Sequence, residues 1–283
     1  MGITDFQRSV RKNSLGSSDM AAVMGLSPWS TAYDVWLAKT GQLQEQPPNA
    51  SMQAGSLFEE GVLRYAEEQL GPIIRNQRRT CADAPLAANI DAITVADRRP
   101  IEAKTAGLFG PLTGHWGEAG TDDVPPAYII QCYVHMICTG TDFCHLAAFL
   151  GGRGFALYGV GRDEVVAKGV KDWACRFWEN HVVANIPPDN STPSISIIKR
   201  IKREPESVVE VPPVLVDTYQ TLRQIRLDAA KREATAKTEL LAALGTAEGG
   251  DYGGGMVTYL ECKRKAYSVA ENTYRKLLIK ETK

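Results

Sequence analysis

The hydrophobic positions near the start of the chain recur with the period of a helix. An apolar run, AAVMGL, follows the segment LGSSD, in which Ser17, Ser18 or Asp19 can cap a helix. A second helix is expected from about Thr31 to Gly41, because glycine commonly ends a helix. The chain therefore begins with two short helices, and the polar segment QEQPPNAS that follows them predicts a loop.

A third helical pattern distinguishes two adjacent carboxylates. This helix is expected over residues 56–70. Glu59 precedes Val62 and Leu63 by three and four positions and shares their apolar face, whereas Glu60 lies beside charged residues. We therefore expect Glu59 to face the interior and Glu60 to face water.

Between residues 73 and 104 the pattern changes to that of strands. PIIRNQRRTCA, NIDAITVA and PIEAKTA each predict a strand, with a tight turn at 97–100 between the last two. Glu102 and Lys104 are two residues apart and therefore project from the same face. Apolar neighbours indicate that these strands are central, where an unpaired charge is costly unless it serves a site.

The remaining patterns predict an α/β fold with an appended module. PPAYIIQCYVHMICTG predicts an apolar helix, HLAAFLGG and GFALYGVGRDE predict two more strands, and a helix is expected around VVAKGVKDWACRFWENHVV. The predicted core is a central mixed β-sheet flanked by helices, over residues 1–190. A Pro-rich and basic linker is expected over 191–212, and a C-terminal helical module over 213–283.

Composition and charge narrow the function classes. The chain is 44% hydrophobic and 23% charged, as in ordinary globular proteins. Residues 1–198 contain 21 acidic and 16 basic side chains, whereas residues 199–283 contain 12 and 16. A nucleic acid would therefore be bound by local basic patches, and the acidic excess suits a site for divalent cations.

The sequence favours a cytoplasmic protein without a metal cluster. No signal peptide or long apolar span is evident. The six cysteines are scattered singly, which argues against disulfides, a zinc site and the iron–sulfur cluster of some repair nucleases.

Asp91, Glu102 and Lys104 form a candidate site for phosphodiester hydrolysis. This reaction needs an activated water and cations that neutralise the attacking and leaving oxygens, and Mg²⁺ prefers carboxylate ligands. A lysine on the same face as one carboxylate can orient the water or stabilise the developing charge. The spacing alone is common, however, and a surface hairpin with an ion pair is the alternative.

Several motifs together resemble the restriction-endonuclease-like nuclease superfamily, and more narrowly the YqaJ family of viral recombinases, which includes phage lambda exonuclease. The resemblance covers residues 8–180 and rests on RKNSLGSSD, LSPWSTAYDVWLAKTG, GSLFE with Glu59, Asp91, Glu102-Ala103-Lys104 and YIIQ with Gln131. The family often has Pro-Asp-Gly where this chain has Ile90-Asp91-Ala92. The resemblance implies a restriction-endonuclease-like core, which would make residues 1–190 a nuclease domain.

The resemblance also implies roles for individual residues. Asp91 and Glu102 would bind Mg²⁺, with the Ala103 carbonyl and Glu59 as further ligands; two ions are expected, and Mn²⁺ is expected to substitute. Lys104 would position the attacking water.

Three more residues complete the implied site. Gln131 would contact the water or the scissile phosphate. Arg11 and Ser18 match the family's pocket for a 5′-phosphate, which a guanidinium and a hydroxyl can bind. Without the resemblance, Arg11 is an ordinary surface residue and Ser18 a helix cap.

The implied activity is digestion of linear duplex DNA from the 5′ end, which leaves a 3′ overhang for a single-strand annealing protein. The resemblance further implies a homo-oligomer, a trimeric ring, encoded by a phage or prophage and acting in the bacterial cytoplasm. Two alternatives stay open, a structure-specific or nicking endonuclease and a catalytically silent DNA-binding protein.

Three other residues have competing interpretations. His135 is more easily explained as a core histidine than as a metal ligand. Trp29 is expected in core packing, with stacking on DNA as the alternative. Trp116, in a long loop over 108–124, is the better candidate for contacting a DNA end.

Overall fold

The computed structural model describes residues 13–44, 50–107, 112–189, 191–202 and 205–261. The chain divides into two compact units, Met1–Arg203 and Glu204–Lys283. The first part of the predicted linker (191–212) packs against the rest of the first unit. The Ser194 amide donates to the Asp34 carboxylate at 2.9 Å, and the Lys202 amide donates to the Gln42 carbonyl at 3.0 Å. The domain boundaries stay a prediction.

Two short helices begin the described chain, as predicted. They are α1 (Ser17–Val23) and α2 (Ala32–Lys39). The residue before α1 is Gly16, and the Asp19 carboxylate accepts its amide at 2.8 Å. Ser18 is therefore not the cap residue of this helix.

Helix α3 (Ala50–Leu70) is longer at its N-terminal end than the predicted 56–70. Its buried side chains Val62, Leu63 and Ala66 pack against Ile101 and Ala147 of the sheet. The helical period read from the sequence thus identified the inward face.

A five-stranded mixed sheet lies at the centre of the first unit, in the order β1-β2-β3-β4-β5. Its strands are β1 (Ile73–Thr80), β2 (Ala87–Thr94), β3 (Pro100–Ala106), β4 (Phe143–Leu150) and β5 (Gly154–Gly161). Only β3 and β4 pair in parallel, because the connection between them passes through helix α4 (Pro126–Thr139). Helix α5 (Glu164–Phe177) follows the sheet and continues as a π-helical turn, Trp178–Val183. The predicted α/β architecture is confirmed.

The pairing between β2 and β3 is short. It comprises Ala92 with Ile101 and Ile93 with Pro100, and one further step in this register would bring Asp91 opposite Glu102. The strands therefore separate where the two carboxylates lie. The candidate site lies at this gap between the adjacent central strands β2 and β3.

Helix α4 forms the main core with the sheet and the N-terminal helices. It is apolar around its circumference, and Pro126 and Gly140 lie at its two ends, as the sequence predicts. Its buried residues Tyr133, Val134 and Met136 belong to a cluster that includes Met20 of α1 and Ile90 of β2. The buried helix thereby fixes the positions of its own polar residues against the sheet.

In residues 205–261, the part of the second unit that the structure describes, there are one long helix and a small hairpin. After α6 (Ile195–Ile198) of the first unit, α7 (Pro213–Leu244) has no buried residue, and β6 (Gly249–Asp251) pairs with β7 (Met256–Thr258). The predicted C-terminal helix is present. None of the helices in the described ranges is both long and apolar enough to span a membrane.

Candidate active site

Strand β3 carries the central ion pair of the site. Glu102 is 4% exposed and forms a salt bridge with Lys104, two residues further along the same face. Burial would lower the pKa of Lys104, but the charges of Glu102 and Asp91 outweigh it and raise this pKa above its usual value. Lys104 is therefore cationic at neutral pH.

Asp91 reaches β3 across the gap between the strands. Its carboxylate accepts a hydrogen bond from the Ala103 amide at 2.8 Å, so it takes the place of a strand partner. Burial, followed by the negative charge of Glu102, raises the pKa of Asp91 to about 8. The two carboxylates are thus close enough to oppose each other's ionisation.

His135 approaches Glu102 from helix α4. Its Nε2 atom lies 3.4 Å from a Glu102 carboxylate oxygen, and the ring is fully buried. Burial lowers the pKa of His135 below its usual value, so the ring is neutral at neutral pH. Although burial acts to raise the pKa of Glu102, the positive charge of Lys104 outweighs it and holds this pKa below its usual value. His135 is thus a core histidine that also contacts the site, a role that the sequence did not reveal.

Gln131 lies one helical turn before His135 and is 7% exposed. Residues four apart on a helix share a face, so Gln131 lies on the side of α4 that approaches Glu102. A buried amide on this side suits contact with a substrate group. Its predicted role toward water or phosphate stays a prediction.

Glu59 belongs to the same electrostatic group, as the helical spacing predicted. It is partly buried, and burial followed by the charge of Glu102 raises its pKa. Glu60, by contrast, is exposed and lies 3.4 Å from the Arg75 guanidinium. The expected difference between inward and outward carboxylates is confirmed.

These neighbours provide a matched pair of variants. We expect Glu59→Gln to lower the nuclease activity that the resemblance implies by about 10- to 100-fold, because it removes a carboxylate that interacts with the charges of Glu102 and Lys104. Glu60→Gln removes the same charge one residue away and should leave the rate within about twofold. Initial rates of duplex digestion test the difference, and equal losses in the two variants would place Glu59 outside the site.

The expected metal ligands do not form a complete coordination shell in this structure. Within the described ranges, no three His, Cys, Asp or Glu side chains converge closely enough to hold a metal ion. The three carboxylates interact electrostatically instead: after burial, the charge of Glu102 is the next largest cause that raises the pKa of Asp91 and of Glu59. In this structure the Ala103 amide donates a hydrogen bond to Asp91. A role of the Ala103 carbonyl as a metal ligand stays a prediction.

A cavity of about 300 Å³ lies between the N-terminal helices and strands β1 and β2. It is lined by Ser14, Gly16, Ser17, Ser18, Asp19, Ala38, Lys39, Arg78, Ala87 and Asn89. Asn89 is paired with Arg78 and lies two positions before Asp91 on β2, hence on the same face and roughly 7 Å away. Ser18 is thus in the cavity, whereas Arg11 lies outside the described residues. Lys39 and Arg78 were not predicted from the sequence, because the residues that line the cavity come from separate helices and strands.

The tryptophans differ from the sequence interpretation. Trp116 is 7% exposed and contacts the rings of Tyr128 and Tyr158, with centroids 5.5 and 5.4 Å away. Its predicted contact with a DNA end is therefore wrong, because the ring is packed in the core. Trp29 is 54% exposed, which contradicts its expected place in the core.

Comparison with protein families bears directly on this site. Residues 8–142 match the family model described as the YqaJ-like viral recombinase domain. This segment of the chain is therefore similar to a YqaJ-like viral recombinase domain. The matched segment includes strands β1–β3 and helices α1–α4, and therefore every predicted catalytic residue.

A relative of known sequence is the uncharacterized protein YqaJ of Bacillus subtilis (strain 168). It is 24% identical over 205 residues, which cover 70% of this chain. The chain matches 63% of that relative's length, less than two thirds.

Two solved exonucleases are also similar to this chain. The alkaline exonuclease LHK-Exo from Laribacter hongkongensis, whose structure was also solved with dAMP, is 18% identical and has a TM-score of 0.49; the similarity covers 65% of this chain and 94% of that one. A phage-related exonuclease from Haemophilus somnus 129PT is 14% identical with a TM-score of 0.46, over 61% and 96% of the two chains.

Proposed function

We propose that the protein is a metal-dependent nuclease that digests linear duplex DNA from its 5′ end. The observation that carries this proposal is the ion pair between the buried Glu102 and the half-buried Lys104 beside Asp91, at a gap between central strands. A half-buried lysine paired with a buried carboxylate is costly to maintain for stability alone. The family to which the matched domain belongs consists of viral recombinases, in keeping with DNA as the substrate.

The carboxylates suit a hard divalent cation such as Mg²⁺. Burial and mutual repulsion raise the pKa of Asp91 to about 8, and a bound cation would relieve that repulsion. Asp91 and Glu102 would be the first ligands, and Glu59 would join them, with the Ala103 carbonyl as a further ligand, once the three carboxylates converge more closely than they do in this structure. When bound, Mg²⁺ or Mn²⁺ supplies Lewis-acid stabilisation of the phosphate oxygens and lowers the pKa of water.

The remaining side chains would act directly on the water and the phosphate. The Lys104 ammonium is held by Glu102 and can donate to the attacking water or to an oxygen that gains charge. Gln131 would hold the water or the scissile phosphate through its amide. The buried setting strengthens these interactions because little water competes with them.

The cavity beside Asn89 is the proposed site for the 5′-terminal phosphate. Lys39 and Arg78 contribute cationic groups, although the Asp19 carboxylate lies 2.6 Å from the Lys39 ammonium and offsets part of that charge. Ser18 lines the cavity and can donate a hydrogen bond to phosphate. A terminal phosphate there would leave the next phosphodiester near Asp91.

Ser18→Ala is expected to reduce the preference for phosphorylated ends. A hydrogen bond to a charged group supports a loss of about 10-fold or more in kcat/KM on 5′-phosphorylated DNA. The rate on 5′-hydroxyl DNA should stay unchanged, since no phosphate is present to accept the bond. Competition between the two substrates measures the ratio, and an equal loss on both would remove Ser18 from the phosphate site.

The proposed biological product is a 3′ overhang for a single-strand annealing protein, and the proposed assembly is a homotrimeric ring. A ring would encircle the duplex and keep the enzyme on it through many cuts. Light scattering should then give three copies of the 30.9 kDa chain. A monomer across the working concentration range would rule out the ring but not the hydrolysis.

The decisive test uses linear duplex DNA that carries a 5′-phosphate at one end only. We expect the phosphorylated strand to be lost from its 5′ end with Mg²⁺ and to survive in EDTA. Closed circular DNA is the control, because an exonuclease cannot begin on it. Cutting of the circle would indicate an endonuclease, and binding without cutting in Mg²⁺ would indicate a silent DNA-binding protein.

A further inference from the structure

Trp29 is the outermost ring of an aromatic group whose other members are buried. Its ring stacks on Tyr128 with centroids 6.4 Å apart and an angle of 27° between the planes. Tyr128 also contacts Trp116, which in turn contacts Tyr158, and these three residues are between 1% and 7% exposed. Trp29, at 54% exposed, therefore has one supported face and a large open surface.

The aromatic group leads to the catalytic lysine. The Lys104 ammonium lies 5.2 Å from the centre of the Tyr128 ring, on which Trp29 stacks. Tyr128 precedes Gln131 by three residues on α4, so the same helix positions both. The open surface of Trp29 is thus separated from Lys104 by one side chain.

We propose that Trp29 stacks on a nucleobase of the strand being cut and thereby positions the adjacent phosphodiester at Lys104. This inference rests on the proposed nuclease function. Every base has an aromatic face, so stacking on an indole holds a strand without reading its sequence. A base that stacks here must first leave its own duplex stack, as a base next to a processed strand end can do.

The neighbourhood of Trp29 favours a nucleotide over an apolar partner. An occupant of this surface lies one side chain away from the cationic Lys104, which favours negative charge beside its flat apolar part. A nucleotide combines both features. The buried rings behind Trp29 restrict its movement, so the orientation that it gives the base would be transmitted to the phosphate.

The test compares three variants on normal and abasic DNA. Trp29→Ala should release the first nucleotides about 10-fold more slowly than wild type, and Trp29→Phe should retain most of the rate. Trp173→Ala is the matched control, because Trp173 is also exposed, to 46%, and contacts Arg176. Thermal denaturation checks that each variant is folded.

Substrates that lack a single base at each of the first three 5′ positions separate stacking from a structural role. At the stacked position, wild type should lose about as much rate as Trp29→Ala loses on normal DNA, and the two losses should not add. Fully additive losses at all three positions would overturn the proposal, since Trp29 would then act independently of a base.

Photocrosslinking provides a readout that does not depend on cleavage. With 5-iodouracil at the same positions and EDTA present, the wild-type protein should crosslink at Trp29, and Trp29→Ala should lose that product. If the protein binds the duplex end but does not crosslink at Trp29, the stacking inference is wrong and the nuclease proposal is unaffected. If the protein does not bind DNA at all, both this inference and the nuclease proposal are wrong.

Discussion

Lys104→Ala protein is expected to digest linear duplex DNA about 100- to 1,000-fold more slowly than wild type, mainly through kcat. Lys104 is held cationic by Glu102 and Asp91, at the point where an attacking water or a developing charge would lie. Alanine removes this charge and the hydrogen-bond donor together. Initial rates at saturating DNA measure the loss directly.

The same substitution has a structural effect that needs its own control. Removal of Lys104 leaves the buried Glu102 without its main cation, and breaking such a pair costs about 3–5 kcal/mol. Thermal denaturation must therefore accompany the assay, and Lys104→Gln keeps part of the hydrogen bonding. Lys168→Ala removes an exposed lysine paired with Asp172 and should leave both rate and stability unchanged. A folded Lys104→Gln protein with nearly normal rate would exclude Lys104 from the chemistry.

Local periodicity was sufficient to predict parts of the site that lie within one element. The two-residue alternation of a strand correctly placed Glu102 and Lys104 on one face. The helical period likewise distinguished Glu59 from Glu60, because burial on α3 follows residue spacing. These predictions succeed because they depend on backbone geometry that neighbouring residues alone determine.

Contacts between elements could not be predicted in this way. The bond from the Ala103 amide to Asp91 arises because β2 and β3 separate after two residue pairs, and no spacing indicates that gap. The contact of His135 with Glu102 depends on how α4 packs on the sheet. Trp116 was misplaced for the same reason, since its loop returns to the core and the sequence suggested an exposed connection.

Asp91→Asn should lower the nuclease activity at least about 100-fold, yet it should stabilise the metal-free protein at alkaline pH. The loss follows from the removal of a charged oxygen from the proposed metal site. The asparagine carbonyl can still accept the Ala103 amide, so the local backbone contact is retained. The variant is thus expected to be inactive and well folded.

The stability gain follows from the direction of the Asp91 pKa shift. An aspartate in an unfolded chain has a pKa of about 3.9, whereas in the folded protein the pKa of Asp91 is raised to about 8. Between these values the unfolded chain releases a proton that the folded protein retains, so ionisation of this group destabilises the fold as pH rises. Asparagine cannot ionise and escapes this penalty, which is complete only above the folded pKa.

Melting temperatures in EDTA should therefore diverge with pH. The wild type and the Asp91→Asn variant should melt similarly near pH 4, and the variant should melt about 3 °C or more above the wild type near pH 9. Mg²⁺ should raise the wild-type melting temperature at pH 9 and have little effect on the variant, because the cation offsets the charge that asparagine lacks. If the melting temperatures of the wild type and the variant in EDTA changed with pH in parallel, Asp91 would ionise as freely in the folded protein as in the unfolded chain. In that case the repulsion among the carboxylates could not be what draws a cation into the gap between β2 and β3.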